Sequence, residues 1–296
     1  MKTLKILTVN LIILITVSCF AEFLAYKEAC SYFKNPPAYS LKKRDYTLEN
    51  LKQNMRKPVG LNYKKAPILI YGCSYAYGFA LDEKDTFGYK LSELAKRPVY
   101  NFAVSSKGLQ DALFLLEKDE KVTPEPQYVF YVFINDHVRR MFVNCNKIDN
   151  VKYLTYKNKN GKLIQNENKY ALSERFYIFG VIKNTSYHLL KKIFDKQIYK
   201  LVKLYFLTIN GEIHKKYPDA KFVVIDYENG GNSFLSPYRV EDLRSKGIEV
   251  VNLKKVFKNE LKSDKYRNSV QKDSFRHPNG EAWSLVADYI VKEFNL

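Results

Sequence analysis

The chain has 296 residues, of which 46% are hydrophobic and 15% aromatic, enough to bury one substantial core in a single large domain. Its 49 Lys and Arg residues against 31 Asp and Glu residues give a formal net charge of +18. The lysines are spread along the chain without zinc-finger spacing or an RNA-binding aromatic motif, which argues against a nucleic-acid partner. The simplest interpretation of the charge is a solvated basic surface, and attraction to anionic envelope polymers or lipids is the alternative.

The first 26 residues have the pattern of an export signal that remains attached. Lys2 and Lys5 precede an apolar run over residues 6–25 that has few polar interruptions. The run just reaches the roughly 20 residues needed to cross a bilayer, and it lacks an Ala-x-Ala cleavage site. We therefore predict a transmembrane helix that acts as a signal anchor and places the rest of the chain outside the cytoplasm, in the periplasm or at the cell surface. A cleaved signal peptide and a lipoprotein signal ending at Cys19 are the alternatives.

The four cysteines give no sign of a metal centre. Cys19, Cys30, Cys73 and Cys145 include no Cys-x-x-Cys pair and no Cys/His ligand spacing, so we predict no metal site. Cys73 is expected to pack as a small apolar side chain. Pairing of Cys30 with Cys145 in an oxidising compartment stays open.

Residues 27–65 are basic, polar and Tyr-rich, and they predict a linker before a folded domain that spans 66–296. In that domain, short apolar runs typical of strands alternate with amphipathic segments typical of helices. Strands are predicted at Ile68–Tyr71, Val99–Ala103, Tyr128–Ile134, Phe222–Asp226 and Ile248–Asn252. Helices are predicted at Thr86–Lys96, capped by Asp85 or Thr86, at Leu109–Leu116, and in a final segment with the stripe Trp283, Val286, Ala287, Ile290 and Phe294. This alternation predicts an α/β fold, a three-layer flavodoxin-like domain with a parallel sheet.

An insertion over residues 145–218 separates the third and fourth predicted strands. Tyr153–Ile164 predicts a hairpin around Asn160-Gly161, and Leu189–Leu207 has the periodicity of a helix. An insertion of this length near the strand ends is expected either to form a lid over a substrate or to pad the core at the periphery.

Ser74 lies two residues beyond Gly72, directly after the first predicted strand. A serine among small residues at this point can have its hydroxyl held out of a sharp strand-to-helix turn, where a nucleophile belongs on an open α/β sheet. A serine that only caps a helix gives the same local pattern.

Further polar residues follow other strands or precede the last helix. An acyl-transfer site needs a nucleophile, a base, a group that orients the base, and donors for the developing oxyanion. Ser74, His277, Asp273 and Asn135 supply one of each, and all four are expected along one edge of the sheet. The joint pattern therefore predicts an acyl-transfer site, although each residue alone has an ordinary structural explanation.

Taken in order, these stretches resemble the four sequence blocks of the SGNH/GDSL hydrolase family: Gly72-Cys-Ser74, Asn101–Gly108, Ile134–Asp136 and Asp273–His277. The resemblance covers about residues 66–296 and leaves the insertion unmatched. It implies a serine esterase or acyltransferase without a cofactor, in which Ser74 is the nucleophile and His277 the base. Asp273 would orient His277, and the oxyanion hole would combine the Ser74 amide, a second-block amide and the Asn135 side chain.

The chain departs from the family pattern at three places. Cys73 replaces the Asp of the first block, which should not affect the chemistry. The second-block glycine aligns best with Ser106, with Gly108 as the alternative. Three residues separate Asp273 from His277 where the family usually has two, so a carbonyl or water in place of Asp273 is an alternative for orienting the base.

Asp136 and His137 follow Asn135 directly. We expect them to hold the loop that aims Asn135, a supporting role like that of residues behind metal ligands. Contact with acid or sugar groups of a substrate, together with Arg139 and Arg140, is the alternative.

The resulting hypothesis is a membrane-anchored, extracytoplasmic serine esterase or O-acyltransferase. Its expected substrate is a small acyl ester or O-acylated glycan, such as O-acetyl groups on an envelope polysaccharide; this expectation comes from the family resemblance and the anchor. The alternative is a catalytically inactive domain that acts as a binding or scaffold subunit of an envelope assembly. A distance between Ser74 and His277 beyond hydrogen-bond reach favours the inactive domain.

Overall fold

The computed structural model describes residues 48–119, 121–141, 145–146, 151–152, 155–166, 195–227, 234–258, 260–267 and 277–296. The predicted anchor, over 1–26, and the first part of the predicted linker lie outside these ranges. None of the helices within them combines the length and apolar character needed to cross a membrane.

Strands and helices alternate along the described chain. The strands are β1 Ile68–Tyr71, β2 Val99–Asn101, β3 Tyr128–Phe133, β4 Cys145–Asn146, β5 Val151–Lys152, β6 Thr155–Lys159, β7 Lys162–Asn166, β8 Lys221–Asp226 and β9 Glu249–Asn252. The helices are α1 Leu48–Lys52, α2 Ser74–Tyr77, α3 Phe87–Ala95, α4 Leu109–Lys118, α5 Asp136–Arg140, α6 Asp195–Lys216, α7 Pro237–Arg244, α8 Leu253–Phe257 and α9 Gly280–Phe294. Short 3₁₀ turns lie at Glu83–Asp85, Glu260–Lys262 and Asp264–Tyr266.

A parallel sheet in the order β2-β1-β3-β8-β9 forms the centre of the domain. This is the 2-1-3-4-5 order of flavodoxin-like folds, in which the crevice between β1 and β3 is the expected place for a site. The predicted strands are confirmed: Ile68–Tyr71 has the predicted ends, and each of the others differs by one or two residues at one end. Just past the end of β2, the Oδ1 of Asn101 accepts the N–H of Ala103 at 3.1 Å.

Helices cover both faces of the sheet. Along β1, Leu69 and Tyr71 point into a core shared with α4 and α6, whereas Ile68 and Ile70 point into a second core shared with α3 and α9. The apolar stripe predicted for the last helix is buried at Trp283, Val286, Ala287 and Ile290. The three-layer α/β prediction is therefore confirmed for the described residues.

Side-chain caps fix the starts of two of these helices. Thr86 caps α3, and its hydroxyl accepts the N–H of Tyr89 at 3.2 Å, which decides between the two predicted caps. Asn279 caps α9, and its Oδ1 accepts the N–H of Ala282 at 3.0 Å. An N-cap acceptor of this kind typically stabilises a helix by about 1 kcal/mol.

Within the insertion, the predicted hairpin is present as β6 and β7. Its turn residues Asn160 and Gly161 have φ values of +51° and +81°, as a type I′ turn requires. The hydroxyl of Tyr156 donates to Glu117 at 2.9 Å, near the end of α4 and about 12 Å along the helix from its first residue. The hairpin thus packs beside the far end of α4. A lid formed by the rest of the insertion stays a prediction, and residues 167–194 lie outside the described ranges.

The described part of the predicted linker packs on the domain. Leu51 in α1 is buried in the same core as α4. Farther on, Val59 pairs with Val99 through two backbone hydrogen bonds of 3.1 and 3.0 Å. The domain boundary at residue 66 stays a prediction, but residues from 48 onward contact the domain that follows.

Candidate active site

The structure brings Ser74 and His277 together at the carboxyl edge of the sheet. Ser74 is the first residue of α2, three residues after β1 ends, and His277 lies three residues before α9 begins. The Nε2 of His277 is 2.8 Å from the Oγ of Ser74, although 203 positions separate them in the chain. Both side chains are largely buried, with 9% of Ser74 and 7% of His277 exposed. A nucleophile within hydrogen-bond reach of a base is the central requirement of acyl transfer.

The sharp turn that presents Ser74 depends on Gly72. Its φ is +151°, and a Cβ at this position would lie 2.9 Å from the Cβ of Ala76 and 3.0 Å from the carbonyl oxygen of Val132. Any side chain here would therefore collide with the backbone of β3 and with α2. Glycine allows the chain to pass this point and turn at once into α2.

Two aromatic rings from the segment that follows Ser74 pack against the imidazole of His277. The centroids of Tyr75 and Phe79 each lie 5.1 Å from the centroid of His277. Packed rings of this kind restrict the ring orientation that His277 can adopt. Asp273 lies outside the described residues, so its predicted role in orienting His277 stays a prediction. Within the described ranges, no group of three or more His, Cys, Asp or Glu side chains is arranged to hold a metal ion.

Asn135 follows β3, the strand beside β1, and its carboxamide is oriented by a backbone group. Its Oδ1 accepts the N–H of Phe234 at 2.8 Å. Because an N–H donor fixes the oxygen, the NH₂ group occupies the opposite side of the carboxamide. Asn135 can therefore offer a donor whose direction is set by the chain beyond β8.

The second block contains two candidate backbone donors, and they differ in their surroundings. The N–H of Gly108 donates to the Oδ2 of Asp111 at 2.7 Å, which caps the start of α4. Ser106 has a φ of +64° in a turn that the N–H of Lys107 closes onto the carbonyl of Val104 at 3.2 Å. This is the φ that the third position of a type II turn requires and that glycine usually supplies. The geometry favours Ser106 over Gly108 as the available donor.

Replacement of Ser106 by glycine is expected to leave activity intact and to raise the free energy of unfolding by up to about 1 kcal/mol, because a left-handed φ costs a residue with a Cβ roughly that much. Ser105→Gly is the matched control, since Ser105 is not in the left-handed region. It is expected to lower the free energy of unfolding by about 0.4–1 kcal/mol. Urea unfolding measures both. Equal destabilisation by the two glycines would contradict this account of the turn.

No protein-family model matches the chain, and no curated protein matches it in sequence. Solved structures do resemble it. A carbohydrate esterase is 12% identical with a TM-score of 0.46, over 81% of this chain and 67% of that one. A putative lipolytic protein of the G-D-S-L family from Desulfitobacterium hafniense DCB-2 is 11% identical with a TM-score of 0.41, over 77% and 99%. The salicylyl-acyltransferase SsfX3 from a tetracycline biosynthetic pathway is 10% identical with a TM-score of 0.44, over 78% and 55%.

These structures are a carbohydrate esterase, a putative lipolytic protein and an acyltransferase. With identities near 10% and TM-scores below 0.5, the similarity assigns neither an activity nor a substrate to this chain.

Asn101 and Arg140 connect the loops of the site to one another. The Nδ2 of Asn101, at the end of β2, donates to the carbonyl of Ala76 in α2 at 2.8 Å.

The Nε of Arg140 donates to Asp136 at 2.8 Å, and its Nη1 donates to the carbonyl of Lys107 at 2.6 Å. Arg140 thus joins the helix after Asn135 to the turn that carries Ser106. Its side chain is only 12% exposed, which argues against the alternative that it contacts substrate.

Cys73, the residue that replaces Asp in the first block, is fully buried beside these loops. Burial raises the pKa of the Cys73 thiol, and the positive charge of Arg140 partly opposes that rise. Cys73 therefore packs as a neutral core side chain, as expected from the sequence.

His137 lies in the core behind Asn135 and has no exposed surface. Its Nδ1 is 2.8 Å from the hydroxyl of Tyr131, and its ring packs edge-on against the rings of Tyr131 and Phe133. Burial lowers the pKa of His137 well below its ordinary value, Arg140 lowers it further, and Asp136 acts in the opposite direction. A neutral imidazole is therefore part of the packing under α5.

The stability of the protein is expected to fall on acidification because the buried position of His137 in the folded state favours the neutral imidazole. A lowered pKa in the folded state means that the unfolded chain binds the proton first, so stability is complete above pH 6.5 and is lost as the pH falls below it. The unfolded-state pKa of about 6.5 limits the loss from His137 alone to at most about 2 kcal/mol between pH 7 and pH 5. Urea unfolding at several pH values measures the slope.

His137→Gln should remove this part of the pH dependence, whereas His214→Gln, at an exposed histidine, should keep it. The account is wrong if His137→Gln loses stability as steeply as the wild type between pH 7 and pH 5.

Proposed function

We propose that this protein is a membrane-tethered, extracytoplasmic serine esterase or O-acyltransferase that acts on small acyl esters, such as O-acetyl groups of an envelope polysaccharide. The observation that carries the proposal is the 2.8 Å contact between the Oγ of Ser74 and the Nε2 of His277. A buried serine at the start of a helix, in contact with a histidine, has the geometry of an activated nucleophile.

In the proposed reaction, the Oγ of Ser74 attacks the ester carbonyl carbon while the Nε2 of His277 accepts the hydroxyl proton. The carbonyl oxygen becomes an oxyanion. His277 then gives the proton to the leaving alkoxide as the ester bond breaks, which leaves the acyl group on Ser74. Water completes hydrolysis by attacking this acyl-enzyme, and a sugar hydroxyl completes transfer. In both cases His277 takes the proton of the attacking hydroxyl and returns it to the Oγ of Ser74 as the bond between the acyl group and Ser74 breaks.

Three donors are proposed to stabilise the oxyanion. The N–H of Ser74 lies in the first turn of α2, where helical hydrogen bonding leaves such groups unused. The N–H of Ser106 is presented by the left-handed turn, and the Nδ2 of Asn135 is directed by the bond between its Oδ1 and Phe234. Such fixed donors act strongly because they need no reorganisation when the charge develops.

The substrate class and the tether are supported by the sequence alone. The four blocks resemble those of enzymes that act on acyl esters, and the apolar run after Lys2 and Lys5 has the pattern of a signal anchor. A membrane-held enzyme outside the cytoplasm would meet envelope polymers as its nearest acylated substrates. An inactive scaffold domain would not need Ser74 and His277 in contact, and the observed distance counts against it.

The test uses the full chain in detergent micelles, a chromogenic acetate ester and a serine-directed phosphonate. We expect acetate release by the wild type, none above background by Ser74→Ala, and covalent addition of the phosphonate to the peptide that contains Ser74, identified by mass spectrometry. A folded wild type that neither releases acetate nor reacts with the phosphonate would overturn the proposal. Labelling without hydrolysis would indicate an acyltransferase that excludes water, and addition of hydroxyl acceptors then tests that activity directly.

A further inference from the structure

Arg56 precedes the domain predicted from the sequence, yet its guanidinium contacts the segment that carries the nucleophile. Its Nε donates to the carbonyl of Tyr77 at 2.6 Å, and its Nη2 donates to the carbonyls of Gly78 and Leu81, each at 2.8 Å. Its Nη1 pairs with the carboxylate of Glu83 at 2.9 Å. The side chain is 14% exposed, so these contacts are made largely away from water.

The carbonyl of Tyr77 belongs to the last residue of α2, and those of Gly78 and Leu81 belong to the loop that follows it. The helix α2 has only four residues, and the last carbonyls of any helix lack partners within it. A planar guanidinium offers five N–H donors in a fixed fork, which matches several acceptors at once in a way that an ammonium group cannot. The guanidinium also lies over the ring of Tyr77, with 4.8 Å to its centroid. Arg56 therefore closes the end of the helix that starts with Ser74.

Arg56 is itself held on both sides along the chain. Before it, Leu51 is buried in the core and Met55 packs against the same core. After it, Val59 pairs with Val99 at the edge of the sheet. The guanidinium is thus anchored to the sheet independently of α2, so it can hold α2 in place instead of following it.

We propose that Arg56 is a positioning residue for the acyl-transfer reaction: it holds α2 and the loop that follows so that the Oγ of Ser74 stays aligned with the Nε2 of His277. The same loop carries Phe79, whose ring contacts His277. Arg56 therefore acts on both members of the Ser74–His277 pair without touching either. This inference rests on the proposed function.

The test compares the full chain with Arg56→Met, which keeps the apolar stem, and Arg56→Lys, which keeps the charge. We expect kcat for acetate release to fall by about 10- to 100-fold in Arg56→Met with KM within about two-fold, because a misplacement of about 1 Å can cost that much. Arg56→Lys should recover little, since one ammonium group cannot replace the fork. Hydrogen exchange should accelerate at Tyr77, Gly78 and Phe79, whose amides bond to carbonyls of residues 73–75, and should be unchanged in α9.

Arg97→Met is the matched control because Arg97 also bonds a backbone carbonyl, that of Ala66 at 3.0 Å, but at the amino end of the sheet. It is expected to leave kcat and the exchange of residues 77–79 unchanged. The inference is overturned if Arg56→Met keeps kcat within about two-fold of the wild type, since that excludes a misplacement of the required size. If the wild type has no activity, the proposed function fails separately, and unchanged exchange at residues 77–79 would still overturn the role of Arg56.

Discussion

Alanine at Ser74, at His277 or at both positions is expected to lower kcat for acetyl-ester hydrolysis by a similar factor, on the order of 10⁴- to 10⁶-fold. The two side chains act as one unit through their 2.8 Å contact, so removing either leaves the other without a function. Effects of such units do not add, and the residual rate comes from binding and from the oxyanion donors. Steady-state kinetics on the wild type, both single variants and the double variant measure this directly.

Cys73→Ala is the control for that series. Cys73 is buried beside Ser74 and takes no part in the proposed chemistry, so kcat should change by less than about five-fold. The joint action of Ser74 and His277 would be disproved if the double variant lost much more activity than either single variant, because the two residues would then contribute separately. Retention of most of the activity in His277→Ala would exclude His277 as the base.

The sheet could be predicted from the sequence because its strands are short, apolar and bounded by turn residues. Strands covered on both faces are continuous apolar runs, as in Tyr128–Phe133, where every side chain is buried. The helices α3, α4 and α9 have clear apolar stripes, and Asn160-Gly161 specifies its own turn. Local chemistry determines these elements, so local patterns are enough to find them.

The contacts that organise the site could not be predicted in this way. Each of these contacts joins residues that are far apart in the chain. The separation is 21 positions between Arg56 and Tyr77, 25 between Asn101 and Ala76, and 99 between Asn135 and Phe234. No spacing rule links such residues, because each contact exists only after the sheet has brought the loops together. The left-handed φ of Ser106 has a similar origin, since serine gives no local sign of it. The resemblance of the second sequence block pointed to Ser106 or Gly108, and the structure supplied the conformation of the turn.

The second large effect is expected at Asn135. Asn135→Ala should lower kcat by about 10²- to 10³-fold with little change in KM, which corresponds to roughly 2.7–4 kcal/mol of transition-state stabilisation. The Nδ2 of Asn135 would donate to an oxygen whose negative charge is absent in the bound ester and develops on the way to the tetrahedral intermediate, so its loss affects kcat more than substrate binding. Steady-state kinetics with the chromogenic acetate separates the two parameters.

Asn135→Asp distinguishes the missing donor from a disturbed loop. The aspartate keeps an oxygen for the N–H of Phe234, which now lies 2.8 Å from Oδ1, so the loop beyond β8 retains its contact. It removes the amide donors and places a negative charge where the oxyanion forms, so we expect a loss of kcat at least as large as in Asn135→Ala. If Asn135→Asp instead kept kcat near the wild-type value while Asn135→Ala lost it, Asn135 would act only by holding Phe234, and the oxyanion would depend on the backbone donors of Ser74 and Ser106.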